Sequence, residues 1–269
     1  MVLAISIVLH RPDAARLART LSSLALAVRV AGRTRPLNSE VYLTDHSPAA
    51  APVESRAAWQ ACLGPGLPLR YDWMNANPGF GAGHNHAFRR AAGADVFLVA
   101  NPDLEFVEDG IAAGLDFLAA RADVGLLAPA LVEPDGTLRP ACFRYPDPLT
   151  LAARFVGGPW ARRRSRRYEC RDWDAALPVR SPPLASGCCM LFRSACYAEL
   201  GGFDTRYFLY FEDFDLSWRA GRAGRSAYCP AMRVRHAGGG AGRKGWRHVV
   251  WFVAGAWRFF VTHGWRPAS

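Results

Sequence analysis

The chain has 269 residues, enough for one large domain or a domain with a subdomain, and 51% of them are hydrophobic, so a substantial core can form. The formal net charge is +10 and the pI about 9.7, a balance that suits nucleic acid, anionic lipid or phosphorylated substrates. No stretch of 18 uncharged apolar residues occurs, which argues against a spanning helix, and the seven cysteines show no CxxC or zinc spacing.

Residues 2–9 are apolar, but too short and without the cationic start of a signal peptide. Residues 4–9 read as a buried first strand, and His10-Arg11-Pro12-Asp13 as the turn after it. Residues 14–30 carry Leu17, Leu21 and Leu24 at helical spacing. A second strand, 40–44, ends at Asp45-His46-Ser47; a loop, a short helix (54–63) and a third strand (69–73) follow. The glycine-rich run from Asn77 to Asn85 leads into a helix through residue 92. The apolar run 95–100 reads as a strand ending at Asn101-Pro102-Asp103, with a helix (108–121) and a strand (124–128) behind it. This alternation predicts an α/β fold with a Rossmann-like, mostly parallel central sheet flanked by helices.

Beyond a turn at 133–136 the pattern weakens, and 159–183 is expected to be irregular, carrying Arg162, Arg163, Arg164, Arg166 and Arg167. A strand (186–192), a helix to Leu200, a turn at 201–204, a helix (214–223) and a strand ending at His236 complete the domain. The tail, 245–265, is aromatic and helical in period. Val249, Phe252, Val253, Ala256 and Phe260 share one face, as in a basic amphipathic helix lying in a membrane interface; the alternative is a terminal helix packed on the domain or on a dimer partner.

Two acidic motifs 110 positions apart carry the chemistry. Asp103 ends a buried strand, where an open α/β sheet binds ligands and a carboxylate can hold a hard divalent cation; a helix-capping turn is the plainer reading. Glu212, Asp213 and Asp215 crowd together near six aromatics, so one member can have a raised pKa and serve as a general base, while another caps the following helix. His236, before Gly238-Gly239-Gly240, can complete a metal shell or touch a phosphate. Asp45 can hydrogen-bond a base or ribose, and the glycines at 79–83 allow close backbone approach to a ligand, though the run lacks a Walker ending. The arginine cluster can grip a diphosphate or a lipid head group, or be a solvated loop. Adjacent Cys188 and Cys189 fit buried thiols in a reducing cytosol.

In this order the segments resemble the family 2 glycosyltransferases of the GT-A fold, in the rhamnosyltransferase-like branch, over about residues 4–245. Four pieces carry the resemblance: Ser6-Ile7-Val8 with its turn to Pro12; the run from Asn77 to Asn85; Asn101-Pro102-Asp103; and Gly201-Gly202-Phe203-Asp204 followed by Phe208 and Glu212-Asp213-Phe214-Asp215-Leu216. It implies an inverting transferase that moves a sugar, rhamnose from a dTDP donor in the first instance, to a hydroxyl of a cell-surface glycan or lipid-linked saccharide. Asp213 would be the catalytic base. Asp103 and His236 would hold Mg²⁺ or Mn²⁺, with Asn101 in place of the first aspartate of the family's DxD motif. Asp45, Asn77, Gly79, Gly83, Asn85, Asn101 and His236 would bind the nucleotide-sugar donor. Gly187, Phe203, Asp204, Glu212 and Asp215 would bind the acceptor. Leu9-His10 and Asp45-His46-Ser47 depart from the family's usual Tyr-Asn and Asp-Asn-x-Ser, which bears on base preference.

The resulting organisation is a transferase domain over 1–244, with a donor half (1–130) and an acceptor half (131–244), then the tail (245–269). The expected location is the cytoplasm or the inner face of the cytoplasmic membrane, with peripheral contact to anionic lipid. A UDP-hexose donor, nucleotidyl transfer, and a non-catalytic protein binding nucleotide-sugar or nucleic acid are the alternatives. Against nucleic acid, the aromatics cluster with acids at 203–218 instead of interleaving with arginines.

Overall fold

A computed structural model describes residues 1–153, 158–236 and 245–266. In chain order the elements are β1 (Val2–Leu9), α1 (Ala14–Ala31), β2 (Asn38–Asp45), α2 (Val53–Leu63), β3 (Leu69–Trp73), α3 (Phe80–Arg90), β4 (Val96–Ala100), β5 (Leu104–Phe106), α4 (Gly110–Ala120) and β6 (Leu126–Val132). There follow β7 (Leu138–Pro140), β8 (Cys142–Phe143), α5 (Pro148–Ala153), α6 (Pro159–Tyr168), β9 (Val179–Arg180), β10 (Leu184–Ala185), β11 (Cys189–Arg193), α7 (Ser194–Glu199), α8 (Glu212–Arg222), β12 (Ser226–His236) and α9 (Trp246–His263). The Gly238-Gly239-Gly240 run lies outside the described residues.

The main sheet runs β3-β2-β1-β4-β11-β6-β12-β5. Its first four strands are parallel, as the alternation predicts, and all five residues of β4 are buried, as helix cover on both faces requires. The second half is mixed. β11 runs antiparallel to both β4 and β6, whereas β12 runs parallel to β6 and antiparallel to β5. The reversal decides where the site forms. Cys189, at the start of β11, lies opposite Ala100, at the end of β4. The start of β11 and the ends of β1, β2, β4 and β12 therefore meet at one edge of the sheet.

One apolar layer packs α1, α2 and α4 on one face, through residues such as Leu21, Trp59 and Leu115. The opposite face is covered by α3, α7 and α8 through Ala87, Tyr197 and Leu216. A third, aromatic cluster joins Tyr145, Tyr168, Phe211 and Phe214 to Phe259 and Phe260 of α9.

The segment expected to be irregular holds the ten-residue helix α6. Gly158, at φ 109°, turns the chain, and Pro159 in the first helical turn has its φ set for the helix and needs no N–H partner there. Arginine is also a good helix former, so the cluster is presented on a helix and not on a loop. The strands β5, β7, β8, β9 and β10 have two or three residues each, too few for a period-2 pattern to register.

Candidate active site

The Asn101-Pro102-Asp103 turn is held from two sides. The Asn101 N–H donates to the Cys188 carbonyl (2.9 Å), and the buried Thr20 hydroxyl of α1 donates to the Pro102 carbonyl (2.9 Å). The residue next to Cys188 holds the other acidic motif: the Gly187 N–H donates to Asp213 Oδ2 at 2.7 Å. A Cβ on Gly187 would stand 2.9 Å from the Asp213 Cβ, so glycine is what lets strand and helix meet there. Two consecutive residues thus bridge motifs that are 110 positions apart. The Cys188 thiol records the result. Burial, first, pushes its pKa up to about 11 against the Ser186 hydrogen bond and the Arg139 charge, and the negative charges of Asp213 and Asp103 add smaller rises.

His236, at the end of β12, places Nε2 3.2 Å from Asp103 Oδ1. The side chains are each about one-quarter exposed, at 24% and 23%. Among the described residues no group of three or more His, Cys, Asp or Glu is disposed to hold a metal. The pair nevertheless fits a hard divalent cation that keeps one or two protein ligands and takes its other oxygens from substrate phosphates and water. Beside His236, a cavity of about 610 Å³ is lined by Glu105, Glu133, Arg139, Arg171 and Arg235.

Asp213 lies in the first turn of α8, where its Oδ1 also accepts the Phe214 N–H at 2.9 Å. A negative charge is favoured there by the helix dipole. The residue before the helix, Phe211, has φ 69°, and Tyr210 before it has φ 72°. Two consecutive bulky residues in the left-handed region are strained, and such strain persists only where surroundings impose it. Here Phe211 is 2% exposed among Phe214, Phe252 and Phe259, and the Gly255 face of α9 lies against the Tyr210 carbonyl.

The structure places the other residues expected to bind donor or acceptor as follows. Glu212 is 4% exposed; burial, then the Asp213 charge, holds its carboxyl well above the usual range. Asp215 is 2% exposed and tied to Arg219 (2.7 Å) and His263 (2.8 Å), where it docks α9 on α8. Phe203 is core, 2% exposed against Phe80, His84 and Tyr197. Asn85 is spent on that same loop: its Oδ1 accepts from the Tyr197 hydroxyl and the Phe203 N–H, and its Nδ2 donates to the Phe203 carbonyl. Asp204 is paired with Arg206, whose guanidinium holds its carboxyl below the usual range.

The glycine run also serves packing. Gly79 has φ 103°, and a Cβ there would lie 2.4 Å from the Phe208 carbonyl oxygen. A Cβ on Gly83 would lie 2.6 Å from Val8 and 2.8 Å from His46. Close approach is real, but it is to the protein's own 203–208 loop and first strands.

On the far side of the edge, Asp45 is buried at the end of β2. Its carboxylate accepts from the Tyr71 hydroxyl (2.7 Å) and the Ser47 N–H (2.8 Å), leaving each oxygen one more acceptor position. Asn77 holds its own turn through the Gly79 N–H and stands 3.4 Å from His10 Nδ1. His46 is 3% exposed and, mainly through burial, depressed in pKa, so it is neutral in this corner. Behind it His84, fully buried and hydrogen-bonded to Ser6 (2.7 Å), is pushed down to about 3. Thr20, Tyr71 and the two histidines are structural partners that sequence reasoning missed. Only a residue's tertiary neighbours reveal such a role.

No family model matches the chain. In sequence it is 35% identical over 143 residues to N-acetylglucosaminyl-diphospho-decaprenol L-rhamnosyltransferase from two strains of Mycobacterium tuberculosis. That match spans 53% of this chain and 47% of the relative, about half of each. In structure it is similar to the mannosyltransferase PcManGT from Pyrobaculum calidifontis, in complex with GDP-Man and Mn²⁺. The TM-score is 0.62 at 17% identity, over 98% of this chain and 65% of that one. It is likewise similar to S. aureus TarS 1-349 in complex with UDP-GlcNAc, with a TM-score of 0.59 at 13% identity, over 91% of this chain and 62% of that one. The chain has the GT-A fold, and over 143 residues its sequence is similar to that of a rhamnosyltransferase, in keeping with the resemblance read from its motifs.

Proposed function

We propose that the chain is an inverting glycosyltransferase that takes a sugar from a nucleotide-sugar donor, rhamnose from dTDP-rhamnose in the first instance, to a hydroxyl of a lipid-linked or cell-surface saccharide. The observation that carries the reading is the bridge through Gly187 and Cys188, which sets Asp213 beside the Asp103–His236 pair. The sequence relative supplies the sugar and the lipid-linked acceptor class, since its name states both.

In this reading Asp213 takes the proton of the acceptor hydroxyl. The hydroxyl oxygen forms the new bond to the anomeric carbon as the bond from that carbon to the donor phosphate oxygen breaks, and the nucleoside diphosphate leaves with the electron pair. Gly187 and Phe214 hold the Asp213 carboxylate in place through their N–H groups, and α8 favours its charge before the proton arrives. Asp103 and His236 are the residues that would hold a divalent cation, which when bound neutralises charge on the departing diphosphate. A single displacement inverts the anomeric centre, so no enzyme nucleophile is needed. Asp45, with Tyr71 and neutral His46 around it, forms the nucleoside end of the donor site.

The test is a thermal-shift series with dTDP, UDP, GDP and CDP, with and without Mn²⁺ or Mg²⁺, followed by product analysis with the donor that binds. A ligand that binds only the folded chain raises Tm. A metal-dependent rise with dTDP, and a product of inverted anomeric configuration, are expected. A metal-dependent rise with UDP alone would select the UDP-hexose alternative, and no rise with any nucleotide would refute the donor site.

A further inference from the structure

We propose that α9 and α6 together form a docking surface for an anionic bilayer, with α9 lying in the interface and α6 supplying the cationic contact. The inference stands apart from the transfer reaction and from the identity of its sugar.

The tail helix divides cleanly. Phe252, Ala256, Phe259 and Phe260 pack into the aromatic cluster, and Gly255 sits against the Tyr210 carbonyl. The expectation that Val249 and Val253 belong to that same face is corrected: both are exposed. They belong to a second stripe, Trp246, Val249, Val250, Val253, Trp257 and Val261, which recurs at i, i+3 and i+4 spacing along the whole helix. Trp246, Val253 and Trp257 are 73%, 59% and 64% exposed. An 18-residue helix is about 27 Å long, so this is an apolar strip running the length of a small domain. Among the described residues no helix is long and apolar enough to cross a membrane, so the strip suits a helix that lies on a bilayer and not one that spans it. Trp246, at the start of the strip, and Trp257, one turn from its end, are of the residue type that favours the headgroup level.

What identifies the occupant as a bilayer is the positive charge on α6 and at the ends of α9. Helix α6 reaches the same aromatic cluster as α9, through Tyr168. Arg164 is tied down by Asp147 and Thr150 and fastens α6 to α5. Arg162, Arg163, Arg166 and Arg167 make no ion pair among the described residues, and they fall in two rows at i, i+4 spacing. With Trp160, itself 58% exposed, they line a concavity of about 920 Å³. Arg247 and Arg266 add charge at the two ends of α9, and the chain carries a net +10. Among the described residues Asp172 is the one acid lining that concavity, so the arginines outnumber it. A strip of valine and tryptophan and a net-cationic helix on one domain match acyl-chain boundary and anionic headgroup together, the two-signal arrangement that gives stable peripheral binding. A second copy of this chain, itself at +10, would cover the strip but add like charge.

The test is co-sedimentation of the full chain with vesicles of phosphatidylcholine alone or mixed with phosphatidylglycerol. The unsubstituted chain is expected to pellet with the anionic vesicles, less so at high salt. Replacing Arg162, Arg163, Arg166 and Arg167 by Gln is expected to lower partition into anionic vesicles at least about tenfold while leaving weak binding to neutral ones. The triple change Val250→Asn, Val253→Asn and Trp257→Ser is expected to lower binding to both. Quenching of tryptophan fluorescence by brominated phosphatidylglycerol, measured on the unsubstituted chain, reads insertion without any variant. The proposal is overturned if the unsubstituted chain stays in the supernatant and is not quenched, or if the triple variant binds as the parent does. It is equally overturned by a parent dimer in light scattering that the triple variant turns into monomer.

Discussion

Replacing Asp213 by Asn tests the proposed chemistry with the least change of shape. The carboxylate accepts two backbone N–H groups, Gly187 at 2.7 Å on Oδ2 and Phe214 at 2.9 Å on Oδ1. An amide offers one oxygen, so one of those N–H groups would face an NH₂ and lose its acceptor. The cost is that of one unsatisfied donor, about 1–3 kcal/mol. For a chain of this size each kcal/mol lowers Tm by about 2–4 °C, so the variant is expected to melt lower yet remain folded at 25 °C. The kinetic loss is separate. Without a group to take the acceptor proton, the rate of nucleotide diphosphate release in the presence of acceptor is expected to fall about 10²–10⁴-fold. That corresponds to about 3–5 kcal/mol at the transition state. Donor binding in a thermal-shift measurement should be nearly unchanged, because Asp213 is not a donor ligand in this scheme. A folded Asp213→Asn protein that transfers sugar within about threefold of the parent would refute the base assignment.

The metal assignment predicts that Asp103→Ala removes the Mn²⁺-dependent part of the dTDP thermal shift and leaves the metal-independent part, since the substitution deletes one half of the Asp103–His236 pair. Glu212 predicts a pH effect with a definite sign. Its folded pKa is raised above the unfolded value by burial, so the folded chain binds the extra proton, and stability is lost as pH rises from the usual carboxyl range toward the raised pKa. Glu212→Gln should therefore melt like the parent at pH 4 and higher than the parent at pH 8; equal melting at both values would contradict a protonated Glu212. Gly83→Ala would set a methyl 2.6 Å from Val8 and 2.8 Å from His46, and overpacking of that kind costs about 1–3 kcal/mol in a denaturant melt.

Particular residues explain what was legible in the sequence. The parallel half of the sheet was legible because β1 and β4 are apolar runs followed by turn residues, β2 carries Val41-Tyr42-Leu43 ahead of its turn, and α1 carries leucines at helical spacing. Asp103 and His236 were legible as strand-end residues, because a side chain at the end of a buried strand is forced to the sheet edge. Their 3.2 Å approach was not, since it depends on β12 pairing antiparallel with the three-residue β5, which sets His236 opposite Leu104, the residue after Asp103. The motif of Gly201 to Asp215 was legible as a block but not in its division of labour. Asp213 and Asp215 are two residues apart on a helix, hence on different faces. One meets Gly187 at the sheet edge; the other meets Arg219 and His263 under α9. Composition gives both the same prior. The direction of β11, which decides what stands beside α8, is set by tertiary packing, which no local pattern reports.

The aromatic segment before Asp213 links the tail to the site. Tyr210 and Phe211 sit in left-handed backbone at a cost of about 1–3 kcal/mol each, and Phe211, at the N-cap position of the helix that follows, has no side-chain acceptor to offer it. Burial of the Phe211 ring, about 1.5–3 kcal/mol, is of the same size, so the turn holds its shape only while α9 stays docked. Gly255 is the point of closest approach: a Cβ there would stand 2.6 Å from the Tyr210 carbonyl oxygen, a backbone atom that cannot rotate away. Gly255→Ala should therefore displace either α9 or the turn, and the turn leads directly into Asp213. The expected result is a drop in Tm together with a fall in kcat larger than any change in donor binding. If α9 were merely an appended helix, Gly255→Ala would lower Tm and leave kcat of the folded fraction as it was.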